Sequence, residues 1–307
     1  MKKYLIIGGA GFIGSHFSEK LFNLGNEVVI LDNFSTGNEK NLNKKITFYK
    51  IDIDDGNLLE SILLREKPDF VYHLAGVINL RRSIDDPLFK NDLNFLSRIE
   101  KIMNACNKCD VKKIIFISSG GAIYQNAKEV PTNESYLAHP DSLYGLANLM
   151  IEKYIESFCG KNNMRYAFLR LSNVFGPRQW ESGIVPSIII GFLHKKNPVI
   201  YGDGTQTRDF IFIDDVVEAL LLSADNMKDG IYNVGSGKEV SLNDIFKEVK
   251  NILDIKGIEP IYKEIQRQDT KRSALDILKI KKEANWQPKV DFGNGLVKTI
   301  NWFKNKN

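Results

Sequence analysis

The chain is poor in the residues that build metal centres and disulfide frameworks. It has three cysteines and four histidines in 307 residues. That excludes a disulfide-stapled small domain. Cys106-Asn-Lys-Cys109 has no second pair to complete a four-ligand zinc site. It also falls near a helix end, whereas a redox pair normally opens a helix. These two and Cys159 therefore read as thiols without chemistry, and no metal is expected. No run of 18 apolar residues occurs, which leaves no membrane span. Residues 1–14 lack the charged, apolar and cleavage regions of a signal peptide, so a cytoplasmic chain is expected. Charge of one sign is scarce too: 42 Lys and Arg against 38 Asp and Glu leave +4. The lysines are spread out, so no nucleic-acid footprint is present; the mild basicity suits an anionic small molecule. Repeats, low-complexity segments and long linkers are absent. What remains, 43% hydrophobic and 26% charged, suits one or two soluble domains.

Against these absences stands one dense stretch, YLIIGGAGFIG at 4–14. Tyr4–Ile7 has the length of a buried strand. Gly8, Gly11 and Gly14 follow, and then a helical pattern with Phe17, Leu21 and Leu24 on one stripe and Gly25 as its stop. Glycines between a strand and a helix form a dinucleotide fingerprint. One allows a tight turn, one lets the backbone approach a pyrophosphate, and one lets helix and strand pack closely. The helix N-terminus then offers free N–H groups and the positive end of its dipole. The next strand, 27–31, ends at Asp32, 18 residues beyond Gly14. A carboxylate there accepts from the adenosine ribose hydroxyls and repels a 2′-phosphate, which selects NAD over NADP.

Strands and helices alternate through the first half, predicting an α/β fold with a doubly wound parallel sheet. The strand at 46–50 leads to Asp52 and Ile53, placed to clasp the adenine, with Asp54 or Asp55 as the next helix cap. The strand at 70–74 leads to Ala75 and Gly76, small enough for a dinucleotide to pass. His73 reads as a satisfied polar group within the sheet. Helices are expected over 83–107 and 142–158, with strands at 113–118 and 165–171. Beyond Pro177 the alternation decays, with helices near 185–194, 214–224, 241–253 and 293–304. The expected division is a dinucleotide-binding Rossmann domain at 1–173 and a mainly substrate-binding lobe at 174–307, some of whose segments return to the main sheet.

The helix at 142–158 opens with Tyr144-Gly-Leu-Ala-Asn148. At this point the chain resembles the extended short-chain dehydrogenase/reductases, and within them the nucleotide-sugar epimerases and dehydratases typified by UDP-glucose 4-epimerase. The resemblance covers nearly the whole chain. It rests on GGAGFIG at 8–14, DNFSTG at 32–37, HLAG at 73–76, SSGGAIY at 118–124 and the tyrosine helix. It continues through LSNVFGPRQ at 171–179, GDGTQTRDFIFIDDV at 202–216, YNVGSG at 232–237 and RSALD at 272–276. It implies that Phe12, Ile13, Asn33, Ser35, Gly37, Leu74, Asn94, Ser118, Tyr144, Asn148 and Val174 join the residues above along NAD.

The resemblance also implies chemistry. A tyrosine, here Tyr144, exchanges a proton with the sugar 4-hydroxyl while NAD oxidises C4; the 4-keto sugar rotates and is reduced on its other face. A free phenol titrates near ~10, so its pKa must fall. The family uses the nicotinamide charge and a lysine four residues after the tyrosine. This chain has Asn148 there. Removing a cation ~4–6 Å away raises a phenol's pKa by roughly 1–3 units. Slow turnover with an alkaline optimum, a cation from elsewhere, a lost activity or an engineered substitution each follow from that. Lys153, nine residues on, should not point at the site. The family's hydroxyl residue falls four before Tyr124, where this chain has Gly120; Ser119 is the candidate, with Ser118 next.

Substrate contacts implied by the resemblance are Asn173 near the diphosphate, Arg208 on a phosphate, Arg267 and Asp269 near the diphosphate and ribose, and Tyr201 against uracil. Ser273 falls where the family gates the pocket opposite the sugar C2 group, and its small size leaves room for N-acetyl. A C4 epimerase acting on a UDP-sugar is the first expectation. A 4,6-dehydratase would add an acid pair beside the serine, where Gly120 and Gly121 stand. A non-catalytic NAD- or nucleotide-sugar-binding protein is the alternative that Asn148 motivates. The helices at 83–107 and 142–158 resemble those that pair in the family's homodimer.

Overall fold

A computed structural model describes residues 1–76, 94–181, 183–264 and 270–306. The first half runs β1 (Lys3–Ile7), α1 (Phe12–Asn23), β2 (Glu27–Asp32), β3 (Thr47–Lys50), α2 (Gly56–Glu66) and β4 (Phe70–His73). It continues with α3 (Phe95–Lys108), β5 (Lys113–Ser119), a short α4 (Gly120–Ile123), α5 (Leu143–Asn162) and β6 (Arg165–Leu171). The second half holds β7 (Asn173–Phe175), α6 (Ile184–Leu193), β8 (Val199–Tyr201), β9 (Thr207–Arg208), β10 (Phe210–Phe212) and α7 (Ile213–Asp225). It ends with β11 (Gly230–Val234), β12 (Val240–Ser241), α8 (Leu242–Leu253), β13 (Ile261–Lys263), α9 (Leu278–Ala284) and α10 (Phe292–Lys306). The expected 83–107 helix is present as α3; its first part, through residue 93, lies outside the described residues.

Seven parallel strands form one sheet in the order β3-β2-β1-β4-β5-β6-β11. The order reverses between β1 and β4, which opens a crevice at the carboxyl ends of the strands. Both faces of the sheet are covered, so its strands are continuous apolar runs rather than alternating ones. On β1, Tyr4 and Ile6 join one core cluster with Phe17 and Leu21 of α1 and Val216 and Leu220 of α7. Leu5 and Ile7 join the other, with Leu59 of α2, Ile99 and Met103 of α3, and Ile151 of α5. Strand β11 comes from the second half of the chain and extends the sheet beside β6, pairing Tyr232 with Leu169.

Local signals explain the element starts. Asp55, rather than Asp54, caps α2, its carboxylate accepting from the Leu58 N–H at 3.0 Å; Asp54 instead pairs with Arg98 of α3 at 2.7 Å. Ser241 and Asp244 form a reciprocal capping box on α8. His73 is buried, but its Nδ1 has no hydrogen-bond partner, which corrects the expectation of a satisfied group. Burial, aided by the Arg98 charge, lowers its pKa to about 4, so the ring is neutral. Cys106 and Cys159 are buried in the core, and burial raises all three thiols.

Lys113 and the Arg170–Glu152 pair are charges buried outside the crevice. Lys113 opens β5, and its ammonium donates to the carbonyls of Ser223 and Met227, both at 2.7 Å, at the end of α7. Burial lowers its pKa to about 8. Arg170 of β6 forms a two-pronged pair with Glu152 of α5, at 2.9 and 2.5 Å. Both side chains are almost wholly excluded from water. Removing one partner of such a pair leaves the other charge stranded. Arg170→Met is expected to cost ~3–5 kcal/mol in urea unfolding, and the Arg170→Met/Glu152→Met double variant less than that. A double variant less stable than the single one would contradict this account.

Candidate active site

The crevice begins at the glycine turn. Gly8 has φ +83°, and a Cβ built on it would lie 2.6 Å from the Ala75 nitrogen, so β1 and the end of β4 meet only through a glycine. A Cβ on Gly14 would lie 2.2 Å from the Gly8 carbonyl oxygen, which is how α1 packs against the turn. Gly11 starts α1 with no side-chain cap and no acid in the first turn. The N–H groups at residues 12 and 13 are thus left for an anion.

Asp32 stands at the far side of this turn. Its carboxylate accepts from the Ala10 N–H at 2.9 Å and the Phe34 N–H at 2.8 Å, one bond to each oxygen. Each oxygen keeps a second lone pair for a ribose hydroxyl. Gly37 passes so close that a Cβ there would sit 2.8 Å from Asp32 Oδ1. Beside it the Asn33 amide donates to Asp52 at 2.9 Å and its oxygen accepts from the Ser35 N–H. Ile53 is half-buried at the same rim, and Leu74 and Ala75 line the crevice behind Gly8. Asn94, exposed, starts α3. An uncapped helix start, a turn that no Cβ can enter and a carboxylate with spare lone pairs fit a dinucleotide.

The reactive groups come together at the opposite end. Ser142 caps α5, accepting from the Gly145 N–H at 3.1 Å. A Cβ on Gly145 would lie 2.4 Å from the Ala122 carbonyl oxygen, so this glycine brings α5 down onto α4. Tyr144 is thereby set beside Ser119, which caps α4 through the Ala122 N–H. Ser119 and Asn148 are the polar side chains that act on the phenol. Burial pushes its pKa above the ordinary value, and the Asn148 and Ser119 bonds oppose that rise. Among the described residues, both groups acting on the phenol are neutral. Asn148 is buried, donates to the Tyr144 carbonyl at 2.8 Å and leaves its own oxygen without a partner. Lys153 lies at the surface with Glu156, at 2.8 Å.

Comparison with known proteins decides what this crevice belongs to. Residues 4–235 match the model of the NAD dependent epimerase/dehydratase family. The chain belongs to this family. Its members' fold and cofactor are this protein's: a Rossmann enzyme using NAD. A UDP-glucose 4-epimerase of Thermotoga maritima, solved with UDP-glucose, is 36% identical with a TM-score of 0.95, covering 99% of each chain. A UDP-N-acetylglucosamine 4-epimerase of Methanobrevibacter ruminantium, in complex with UDP-N-acetylmuramic acid, is 35% identical with a TM-score of 0.92, covering 100% of this chain and 99% of the other. A Methanocaldococcus jannaschii protein, provisionally named UDP-glucose 4-epimerase, is 40% identical over 306 residues, 99% of each chain. Among the described residues, no helix is long and apolar enough to cross a membrane.

Most of the other residues expected in this family site are spread along the second half of the chain. Asn173 opens β7, its amide reaching the Asp209 carbonyl at 3.3 Å. Val174 follows, its carbonyl taking the Gln179 amide at 3.0 Å. Arg208 of β9 donates to the Thr270 carbonyl at 2.6 Å. Arg267 and Asp269 lie outside the described residues. Tyr201 ends β8 with half its surface exposed. Ser273 faces the serine–glycine turn: a Cβ on Gly121 would come 4.0 Å from its hydroxyl. Ser118 turns away, donating to Glu152 at 2.6 Å.

Sequence reasoning passed over Asp209. Its buried carboxylate accepts from the Ser236 N–H and hydroxyl, the Gly237 N–H and the Leu275 N–H, at 2.7–3.2 Å. Burial pushes its pKa up, and these bonds pull it down. It gathers the 235–237 loop and the Ser273 segment around Asn173. The one available signal was an acid set before an apolar strand, in Arg208-Asp209-Phe210. For the cofactor end the expectation is firm: Gly14→Val displaces the turn, and NAD titration followed by calorimetry should show at least ~10-fold weaker binding, since a shift of ~1.4 kcal/mol suffices.

Proposed function

We propose that the protein inverts C4 of a UDP-hexose or UDP-N-acetylhexosamine through a 4-keto sugar, with Tyr144 as the acid/base. The observation that carries this reading is the Tyr144–Ser119 pair, held at the carboxyl edge of the sheet by Gly145 and the Ser142 cap. Bound NAD supplies a reversible two-electron acceptor for the sugar carbon. Tyr144 takes the proton of the 4-hydroxyl and later returns it, and Ser119 orients that hydroxyl. Asn173 and Arg208, with Arg267 and Asp269, hold the diphosphate and ribose, and Tyr201 packs on uracil. The fork of Arg208 suits a phosphate. The exposed stripe of Leu143, Leu146 and Met150 on α5 supports a homodimer built on that helix, in a cytoplasmic enzyme.

A dehydratase is disfavoured by packing. Gly120 and Gly121 place no acid beside Ser119, and a Cβ on Gly120 would have to displace the Leu275 side chain, 2.7 Å away. The N-acetyl preference rests on the small Ser273 facing Gly121, and a relative of this architecture is a UDP-N-acetylglucosamine 4-epimerase.

Asn148 sets the pH behaviour. Catalysis needs the phenolate, the folded phenol titrates above its ordinary value, and no charged group of the described residues brings it down. The rate with UDP-galactose or UDP-N-acetylgalactosamine is therefore expected to climb with pH into the alkaline range. Asn148→Lys should move that limb toward neutrality by roughly 1–3 units. A neutral optimum in the unmodified protein would sink the argument. Turnover by neither form, with NAD tightly held, would point to a binding protein instead.

Ser273→Tyr should narrow the pocket by the C2 group. The expected result is a selective fall in kcat/KM for UDP-N-acetylgalactosamine against UDP-galactose, ~10-fold or more, the size of a steric mismatch in a pocket. An equal fall on both substrates would reject this pocket assignment.

A further inference from the structure

Two loops flank the start of α1. One, residues 33–37, leaves β2 and carries Asn33, Ser35 and Gly37. Its internal bonds are short-range: Phe34 N–H to Asp32, and Ser35 N–H to Asn33. The other, residues 176–181, enters from the second lobe and is fixed from three sides. His16 of α1 bonds the Pro177 carbonyl at 2.9 Å, Arg178 pairs with Glu19 of α1 at 2.6 Å, and Glu181 pairs with Lys306 of α10 at 3.0 Å. Arg178 turns the chain with a left-handed φ of +65°.

Among the described residues, one hydrogen bond joins these loops. The Trp180 indole N–H donates to the Thr36 carbonyl at 3.0 Å. Trp180 is 56% exposed, so it is not a core residue drawn in by burial. It borders a cavity of about 570 Å³ whose wall includes Phe12 of the glycine turn, Gly37 and Trp302. The anchored loop thus reaches over the opening beside the α1 N-terminus and grips the middle of the other, whose ends are held by the Asn33 amide on Asp52 at 2.9 Å and the Asn38 N–H on the Ala10 carbonyl at 3.1 Å.

We propose that Trp180 is a strap that holds the 33–37 loop closed on NAD and sets how fast the cofactor leaves. The inference rests on the placement of NAD along Gly11, Phe12, Asp32 and Gly37, and goes beyond it by assigning retention to a residue that touches neither reacting atom. Release requires the loop bearing Gly37 to move from Asp32, and breaking the indole bond is the step that frees it. The anchors on His16, Glu19 and Lys306 keep Trp180 in position whether the loop is closed or open.

The test is a chase experiment. Protein loaded with radiolabelled NAD is mixed with excess unlabelled NAD, and retained label is followed by gel filtration. Trp180→Phe keeps a ring but loses the donor; the expected release is about 3–10-fold faster, as for one exposed hydrogen bond. Trp180→Ala should release faster still. Melting temperatures near that of the unmodified protein show that the variants are folded. Release from Trp180→Phe at the unmodified rate overturns the strap. Asp32→Ala separates the two readings. If it binds NAD normally, the placement of the dinucleotide fails, and the strap with it. If it binds weakly while Trp180→Phe releases normally, the strap alone fails.

Discussion

The bidentate pair between Glu152 and Arg170 fastens the helix that carries Tyr144 to the strands that end at Ser119 and Leu171. Its reach is longer than two residues. Ser118 donates to the same carboxylate. The remaining arm of Arg170 donates to the Tyr124 hydroxyl at 2.6 Å, and that hydroxyl donates to the Asn233 oxygen at 3.2 Å. The Asn233 amide spans the carbonyls of Thr132 and Asp276, on the segment that bears Ser273. A pair this dry gains little net energy, because desolvation offsets the attraction. Its contribution is register: Tyr144, Ser119 and the segment that bears Ser273 are set relative to one another by one polar chain. Every link crosses between residues at least 18 positions apart in sequence.

At the phenol itself the electrostatics are spare. Tyr144 is half-buried, and its neighbours Ser119 and Asn148 offer dipoles rather than charge. On the proposed reading, the cofactor's own positive ring is left as the source of the field that stabilises a phenolate. The proton can then leave readily only while that ring is oxidised, so acid/base and redox chemistry are tied more tightly than with a permanent cation nearby. The unpartnered oxygen of Asn148 is consistent with a site made for a larger, donating side chain.

Much of the crevice was legible because its signals are local. The glycine spacing, Asp32 and the Tyr144–Asn148 interval each follow from a single turn or a single strand-to-helix step. Ser119 follows through the family resemblance, as the hydroxyl beside Gly120, the position four before Tyr124. Four helices of the second half were expected within two residues of their observed ends, since each has its own apolar stripe, whereas the short α9 was not expected. What escaped needs the folded chain. Asp209 meets Ser236 across 27 positions, Glu152 meets Arg170 across 18, and Trp180 meets Thr36 across 144. In sequence each is an ordinary polar or aromatic residue. His73 shows the reverse: its burial was readable from the strand, whereas its lone nitrogen depends on what the neighbouring elements fail to supply.

Lys113 carries a consequence for how the molecule is made. Its ammonium is enclosed at the edge of a central strand, and the carbonyls that receive it belong to Ser223 and Met227. A nascent chain that has reached only residue 173 has neither acceptor, nor the strand β11 that covers the flank of β6. The cost of enclosing an ammonium without acceptors is several kcal/mol. During synthesis, the parallel sheet therefore stays open on that side until about sixty further residues have emerged, through Ser223 and Met227 to the end of β11. The nucleotide-binding half and its neighbour mature together, although the genetic order would allow the first to be finished alone.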